Sequence, residues 1–202
     1  MARPRAQDYD QKRSSICKTA TQLFAAQGFD RTSIASVAAA CGVSKALLYH
    51  YYDSKEALLF DIISLHLEEL NQALEAADDP ALPPDRRLRL LIGALLEAYR
   101  DADDEHRVQI AAMPTLPPDL VEELRALERL LVGRFAKVLL AVNPALEAQP
   151  GYLKPVTMSL FGMLNWVYLW FRPDGAISRE DYADLATTMI LEGVKAVGKG
   201  EN

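Results

Sequence analysis

The chain has 202 residues, of which 50% are hydrophobic and 25% charged. That mix belongs to a packed globular chain and excludes a disordered acidic tail. The formal net charge of −6 hides an asymmetry: residues 1–55 hold eight basic against four acidic side chains, a surplus of four that leaves a deficit of ten on the remainder. A basic head on an acidic body points to a polyanion met by the head alone.

No apolar run reaches the ~18 residues that a membrane span needs. The longest, residues 156–171, is interrupted by Thr157, Ser159 and Asn165. Met1 to Arg5 is followed by Gln7, Asp8, Tyr9 and Asp10 rather than an apolar stretch, so no secretory signal is read there. Cys17 and Cys41 cannot form a disulfide framework, and a reducing cytoplasm is the expected location.

Taken in order, nearly every segment reads as helix. Ile16, Ala20, Leu23 and Phe24 keep the spacing of one apolar helical stripe, and Gly28 offers a left-handed stop. Thr32 and Ser33 supply a hydroxyl N-cap for a short run bearing Ile34, Val37 and Ala38, which ends at Cys41-Gly42. Ser44 caps a second short helix over 45–51. Asp53-Ser54 breaks it and caps a long helix from Lys55 towards Leu74. The turn-rich segment 78–84 ends that helix. Further helices are predicted over 85–102, 105–113, 119–142 and 152–171, the last three each followed by a proline-bearing break. Ser178 and Asp181 have capping-box spacing for a last helix ending at Gly198. No strand alternation or repeat occurs. The expected fold is all-α.

Residues 32–55 carry the most information. Two short helices joined by Cys41-Gly42-Val43-Ser44 have the helix-turn-helix arrangement, in which the glycine permits a sharp turn. In such a motif the second helix enters the major groove and its early residues reach base edges, here Ser44, Lys45, Tyr49 and His50. A plain helical hairpin has the same spacing, so at this point both readings stand.

Residues 16–59 as a whole resemble the DNA-binding domain of the TetR family of bacterial repressors. The resemblance rests on Leu23-Phe24, Gly28-Phe29, Thr32-Ser33, Val37-Ala38, Gly42-Val43-Ser44, Leu48-Tyr49, Tyr52 and Ser54-Lys55-Glu56. Ala46-Leu47 depart from the glycine or hydroxyl residues often found early in the family's recognition helix. The resemblance implies a DNA-binding site of Thr32, Ser33, Ser44, Lys45, Tyr49, His50 and Lys55. Thr32 and Ser33 would meet phosphate at a helix N-terminus. Lys45 and His50 would face bases or backbone, the Tyr49 hydroxyl would donate to phosphate, and Lys55 would clamp another phosphate. Tyr52, Leu48, Val37, Leu23 and Phe24 are expected in the core.

It further implies two domains: residues 1–55, a three-helix DNA-binding domain, and residues 56–202, a larger helical domain for ligand binding and dimerisation. Trp166, Tyr168, Trp170 and Phe171, with Phe161 and Met163, make 152–171 apolar on most sides, as a helix buried on several faces must be. In the TetR family the last two helices pair into a four-helix dimer bundle, a role that this stretch and residues 178–195 fit. Residues 164–175 are also similar to members that regulate acyl-CoA catabolism. Ligand-pocket candidates are His66, Leu95, Tyr99, Ile110, Met113, Phe135 and Trp166, each of which ordinary core packing explains as well. Arg100, Arg107 and Arg134 are either phosphate partners for a CoA-like ligand or solvated helix-face residues. Asn165 satisfies either a backbone group or a ligand.

Enzyme readings find little support. His50, His66 and His106 are far apart, and the sequence has no H-E-x-x-H, C-x-x-C, phosphate-cradling glycine loop or G-x-S-x-G. Neither metal nor cofactor is expected. Cys17 and Cys41 read as core thiols, with redox sensing as the alternative. The expected protein is a cytoplasmic, homodimeric repressor that binds a palindromic double-stranded operator and responds to a small hydrophobic effector. The expected effector is an acyl-CoA, against a cationic or aromatic drug in efflux control. A small-molecule binding protein without DNA function is the remaining rival.

Overall fold

A computed structural model describes residues 3–148 and 151–197, with side chains from residue 9 onward. Among the described residues all regular structure is helical. Helix α1 (Arg3–Gln27) stops at Gly28, whose φ of +87° needs no Cβ penalty and whose N–H donates to Phe24 O at 2.9 Å. Helix α2 (Ile34–Ala40) starts at a capping box. The Ser33 hydroxyl accepts from the Ser36 N–H at 3.0 Å, and the Ser36 hydroxyl accepts from the Ser33 N–H at 3.1 Å. Gly42, at φ +65°, turns the chain into α3 (Lys45–Tyr51), where the Ser44 hydroxyl accepts from the Leu47 N–H at 3.1 Å. Each such cap contributes ~1 kcal/mol, which matters for helices of seven residues that are too short to form alone.

Helix α4 (Lys55–Ala77) runs a turn beyond the expected Leu74, and α5 (Pro84–Ala98) begins with proline at its first position. The helix predicted over 85–102 stops at Ala98, and Asp101 takes a left-handed conformation at φ 61° before α6 (Asp103–Ala112). A 3₁₀ turn (Met113–Thr115) precedes α7 (Pro118–Val142), and a second 3₁₀ turn (Pro144–Leu146) follows it, capped by Asn143. The predicted helix over 152–171 is two: α8 (Leu153–Asn165) and a single turn α9 (Val167–Trp170), parted at Trp166 with φ −90°, ψ 0°. The apolar pattern runs straight through this break, so periodicity alone does not mark it. Helix α10 (Arg179–Ala196) has the expected capping box of Ser178 and Asp181; its predicted end at Gly198 lies outside the described residues.

The chain forms two compact units. The first comprises residues up to Glu68 together with Asp101–Ala126, the second Glu69–Arg100 with residues from Leu127 onward. In the first, Ile16, Ala20 and Phe24 of α1, Val37 of α2, Leu48 of α3 and Leu58, Leu59 and Ile63 of α4 form the core, and α6 packs on α1. Burying each large aliphatic side chain stabilises by ~1.5–3 kcal/mol. In the second, the stripe Leu88, Leu91, Ile92 and Leu95 of α5 packs against α10, which buries Ala183, Ala186, Ile190 and Val194. There Phe135 of α7 meets Phe161 of α8 edge to face at 5.2 Å.

Candidate nucleic-acid interface

Helix α3 is anchored on one side and open on the other. Leu48 is fully buried, while Ser44, Lys45, Ala46, Leu47, Tyr49 and His50 are exposed. Lys45 and Tyr49, one turn apart, share a face, with the Lys45 Nζ 5.7 Å from the Tyr49 ring centroid. The result is a short, capped helix that presents a cation, a phenol and an imidazole to solvent, the donor set that reads base edges and grips phosphates. Tyr52, just past the helix, is buried in contrast to Tyr49, as the sequence implied.

Two of the expected phosphate contacts are already engaged inside the unit. The Thr32 hydroxyl is buried and donates to Gly28 O at 2.8 Å, so it closes the turn after α1. The Thr32 hydroxyl is thus occupied within the unit, whereas Ser33, exposed, is the cap of α2. The Lys55 ammonium donates to Phe29 O at 2.9 Å and Thr32 O at 3.2 Å, and lies 4.1 Å from the Phe29 ring centroid. Its charge is held at the same turn.

Tyr9, Arg13 and Asp61, which sequence reasoning passed over, sit against α3 and its anchor together with Cys17, read there as a core thiol. Tyr9 of α1 stacks on Tyr51 at 4.7 Å and meets His50 edge-on at 6.5 Å. Arg13 grips Asp61 of α4 with two guanidinium nitrogens, the Nε at 3.0 Å. The Tyr52 hydroxyl donates to the same carboxylate at 2.5 Å. Cys17 Sγ lies 2.9 Å from that hydroxyl and 3.5 Å from the carboxylate. Since the phenol proton is given to Asp61, the thiol proton points to the phenol oxygen. Burial pushes the Cys17 thiol up to about 12 and raises the Tyr52 phenol as well, so both stay protonated at neutral pH. The hydrogen bond to Asp61 raises the Arg13 guanidinium further above its ordinary value. The only sequence signal was the spacing of Tyr9, Arg13 and Cys17 at every fourth residue of one helix.

The ligand-pocket candidates divide between the units. In the first, His66 and His106 are buried with ring centroids 6.1 Å apart, Met113 is buried, and Ile110 is 42% exposed. Burial, and then the neighbouring His106, lower the His66 pKa to about 4. A cavity of about 530 Å³ in this unit is lined by Phe24, Phe29, Arg31, Arg107, Val108 and Ala111 among others.

In the second unit Leu95 and Phe135 are fully buried. Tyr99 is buried and donates to Asn165 Oδ1 at 2.9 Å, which gives the last residue of α8 a side-chain partner. Burial raises the Tyr99 phenol. Trp166 is 49% exposed and lies 6.2 Å from Tyr168. Ile110 and Trp166 are thus more open than the other candidates within a single chain.

The three candidate phosphate-binding arginines all face carboxylates. Arg100 is bidentate on Glu97 at 2.7 Å, Arg107 is 3.6 Å from Asp104, and Arg134 is 2.9 Å from Asp78. Asp78 also accepts from Arg87, whose hydrogen bond, ahead of that from Arg134, holds its carboxyl below the usual range. Met158, Leu169, Trp170, Leu185 and Met189 of α8–α10 remain exposed. Among the described residues no group of three or more His, Cys, Asp or Glu could hold a metal ion, and no helix is long and apolar enough to cross a membrane.

Residues 16–62 match the family described as bacterial regulatory proteins, tetR family, and residues 81–194 match the tetracyclin repressor-like C-terminal domain. A TetR-family transcriptional regulator from Bordetella parapertussis 12822 is 33% identical with a TM-score of 0.84, over 93% of this chain and 98% of that one. AibR, solved in complex with isovaleryl coenzyme A and operator DNA, is 26% identical with a TM-score of 0.77, over 88% and 97%. The transcriptional repressor KstR2 of Rhodococcus jostii is 26% identical over 193 residues, 91% of each chain. YerO of Bacillus subtilis, an uncharacterized transcriptional regulator, is 37% identical over 97 residues, 47% of this chain but about a third (34%) of its own length.

Proposed function

The chain belongs to the tetR family of bacterial regulatory proteins, and we propose that it works in the cytoplasm as a homodimeric repressor that a hydrophobic acyl-CoA thioester releases from a palindromic operator. Residues 1–55 form the DNA-binding part, and residues 56–202 the part for effector and dimer. The observation that carries the DNA reading is α3: Leu48 is locked inside while Lys45, Tyr49 and His50 stand open on a helix capped by Ser44. Ser33 meets phosphate at the start of α2, Ser44 at the start of α3. Two recognition helices about one DNA turn apart, ~34–36 Å, would read the two half-sites.

The acyl-CoA assignment is supported by the resemblance of residues 164–175 and by AibR, whose solved complex holds isovaleryl coenzyme A. The candidate lining residues are, in the second unit, the buried Leu95, Tyr99 and Phe135 with the more open Trp166, and, in the first unit, the buried His66 and Met113 with the more open Ile110. The nucleotide phosphates stay at the mouth, because desolvating them without partners is prohibitive. The effector acts only through a higher affinity for the state that does not fit the operator. The deficit of ten charges on residues 56–202 favours the second reading, a cationic drug-like effector held by aromatic rings.

The test selects a duplex from a random-sequence library with the purified chain. The selected complex is then titrated with an acyl-CoA chain-length and aromatic series beside a panel of cationic dyes. Release by one thioester at micromolar concentration is the expected result. Release by dyes, with every thioester inert, would replace the acyl-CoA reading by the second.

A further inference from the structure

Helix α3 has seven residues, and Leu48 is the one among them that is buried. A two-turn helix held by a single apolar anchor is free to rock about it, and rocking moves base-reading side chains by more than the few tenths of an ångström that a directional hydrogen bond tolerates. Some second anchor must fix its pitch. Tyr9, Arg13 and Cys17 lie four residues apart on α1 and therefore on one stripe. This stripe meets the end of α3 at two successive residues: Tyr9 stacks on Tyr51, and Arg13 and Cys17 close on Tyr52 through Asp61 of α4.

We propose that Arg13, Cys17 and Asp61 act through the Tyr52 hydroxyl as positioning residues that set the pitch of the recognition helix, and with it sequence discrimination. Tyr9 buttresses the same turn from outside. This rests on the reading of α3 as the base-reading helix.

A part-buried polar chain is a poor device for stability alone, since the desolvation of Asp61 and Tyr52 offsets much of what their bonds return. It is a good device for geometry. Thiol, phenol and carboxylate form a directional relay, with the guanidinium fork closing its far side, and such linked bonds strengthen one another. Phenylalanine at position 52 would fill the same volume without the hydroxyl. The network therefore specifies an orientation that packing of the ring leaves open.

The experiment compares Tyr52→Phe, Asp61→Asn and the double variant with the unaltered chain. It measures affinity for the library-selected duplex, affinity for a random duplex, and amide hydrogen exchange of α2 and α3 in the free protein. Tyr52→Phe keeps the ring and so folds. It is expected to lose about tenfold in the ratio of selected to random affinity, to change random affinity by less than about twofold, and to speed exchange in α3 but not in α2. Asp61→Asn should move the same way, and the double variant should be no worse than the worse single one. An unchanged ratio together with unchanged α3 exchange in Tyr52→Phe would overturn the proposal, as would equal losses on both duplexes. If the unaltered chain selected no duplex, the DNA reading itself would fail, and the exchange of α3 against α2 would still decide whether the network positions the helix.

Discussion

The Lys55 ammonium sits 4.1 Å from the centroid of the Phe29 ring and donates to that residue's own carbonyl oxygen at 2.9 Å. A second bond to Thr32 O at 3.2 Å ties the start of α4 to the turn between α1 and α2. Lysine has two effects at one place: it closes a turn whose carbonyls lack helical partners, and it keeps a positive charge beside the cap of α2.

Lys55→Ala should therefore lower stability by about 1–2 kcal/mol, less than the sum of two charge-assisted bonds and a cation–π contact because solvent screens a half-exposed site. It should also weaken selected and random DNA alike, and reduce the salt slope by about one unit. Thermal melting and a salt titration of both duplexes check this. A lower melting temperature with an unchanged slope would assign Lys55 wholly to the fold.

Lys45 and His50 should behave differently, because both are exposed on α3 and neither has a carbonyl or carboxylate partner among the bonds seen there. Each alanine variant is expected to lose ~1–3 kcal/mol on the selected duplex and much less on random DNA. Equal loss on both would make the residue a backbone contact.

What could be read from the sequence was local. Ser33, Ser44 and the Ser178–Asp181 pair act on backbone N–H groups three residues away, so spacing alone reveals them. Gly28 and Gly42 betray themselves by a conformation that other residues resist. What could not be read was long-range. The break at Trp166 coincides with the bond between Tyr99 and Asn165, residues 66 positions apart. Asp61 joins partners 48, 44 and 9 positions away, a pattern with no period. Ile110 and Trp166 likewise read as pocket or core positions, and nothing local says what would cover them.

The buried His66 makes stability depend on acid. Its folded-state pKa of about 4 lies below the unfolded value of 6.5, so the unfolded chain takes up the proton first. The contribution is fully present above about pH 6.5 and is lost as pH falls towards 4, by up to about 3 kcal/mol at 1.36 kcal/mol per unit. Denaturant unfolding across this range should show the slope, and His66→Leu should flatten it whatever its absolute stability. An identical slope in the leucine variant would place the acid sensitivity elsewhere.

Dimerisation can be tested without disturbing the packing of the single chain. Helix α10 has two apolar faces. Ala183, Ala186, Ile190 and Val194 are used against α5, whereas Leu185 and Met189, one turn apart, are 49% and 58% exposed. Trp170 is a poorer choice for the test because its ring lies 4.9 Å from that of Tyr182 within the same chain. In a two-fold interface one substitution enters twice, so Met189→Glu would bury two carboxylates without partners in an apolar seam. Met189→Glu is expected to run as a monomer in light scattering, with helical content and melting close to the unaltered monomer unit. Its affinity for the selected palindrome should fall towards that for a half-site, because the second head is no longer held at high local concentration. A stable dimer of the Met189→Glu variant would place the interface on a different face of the chain.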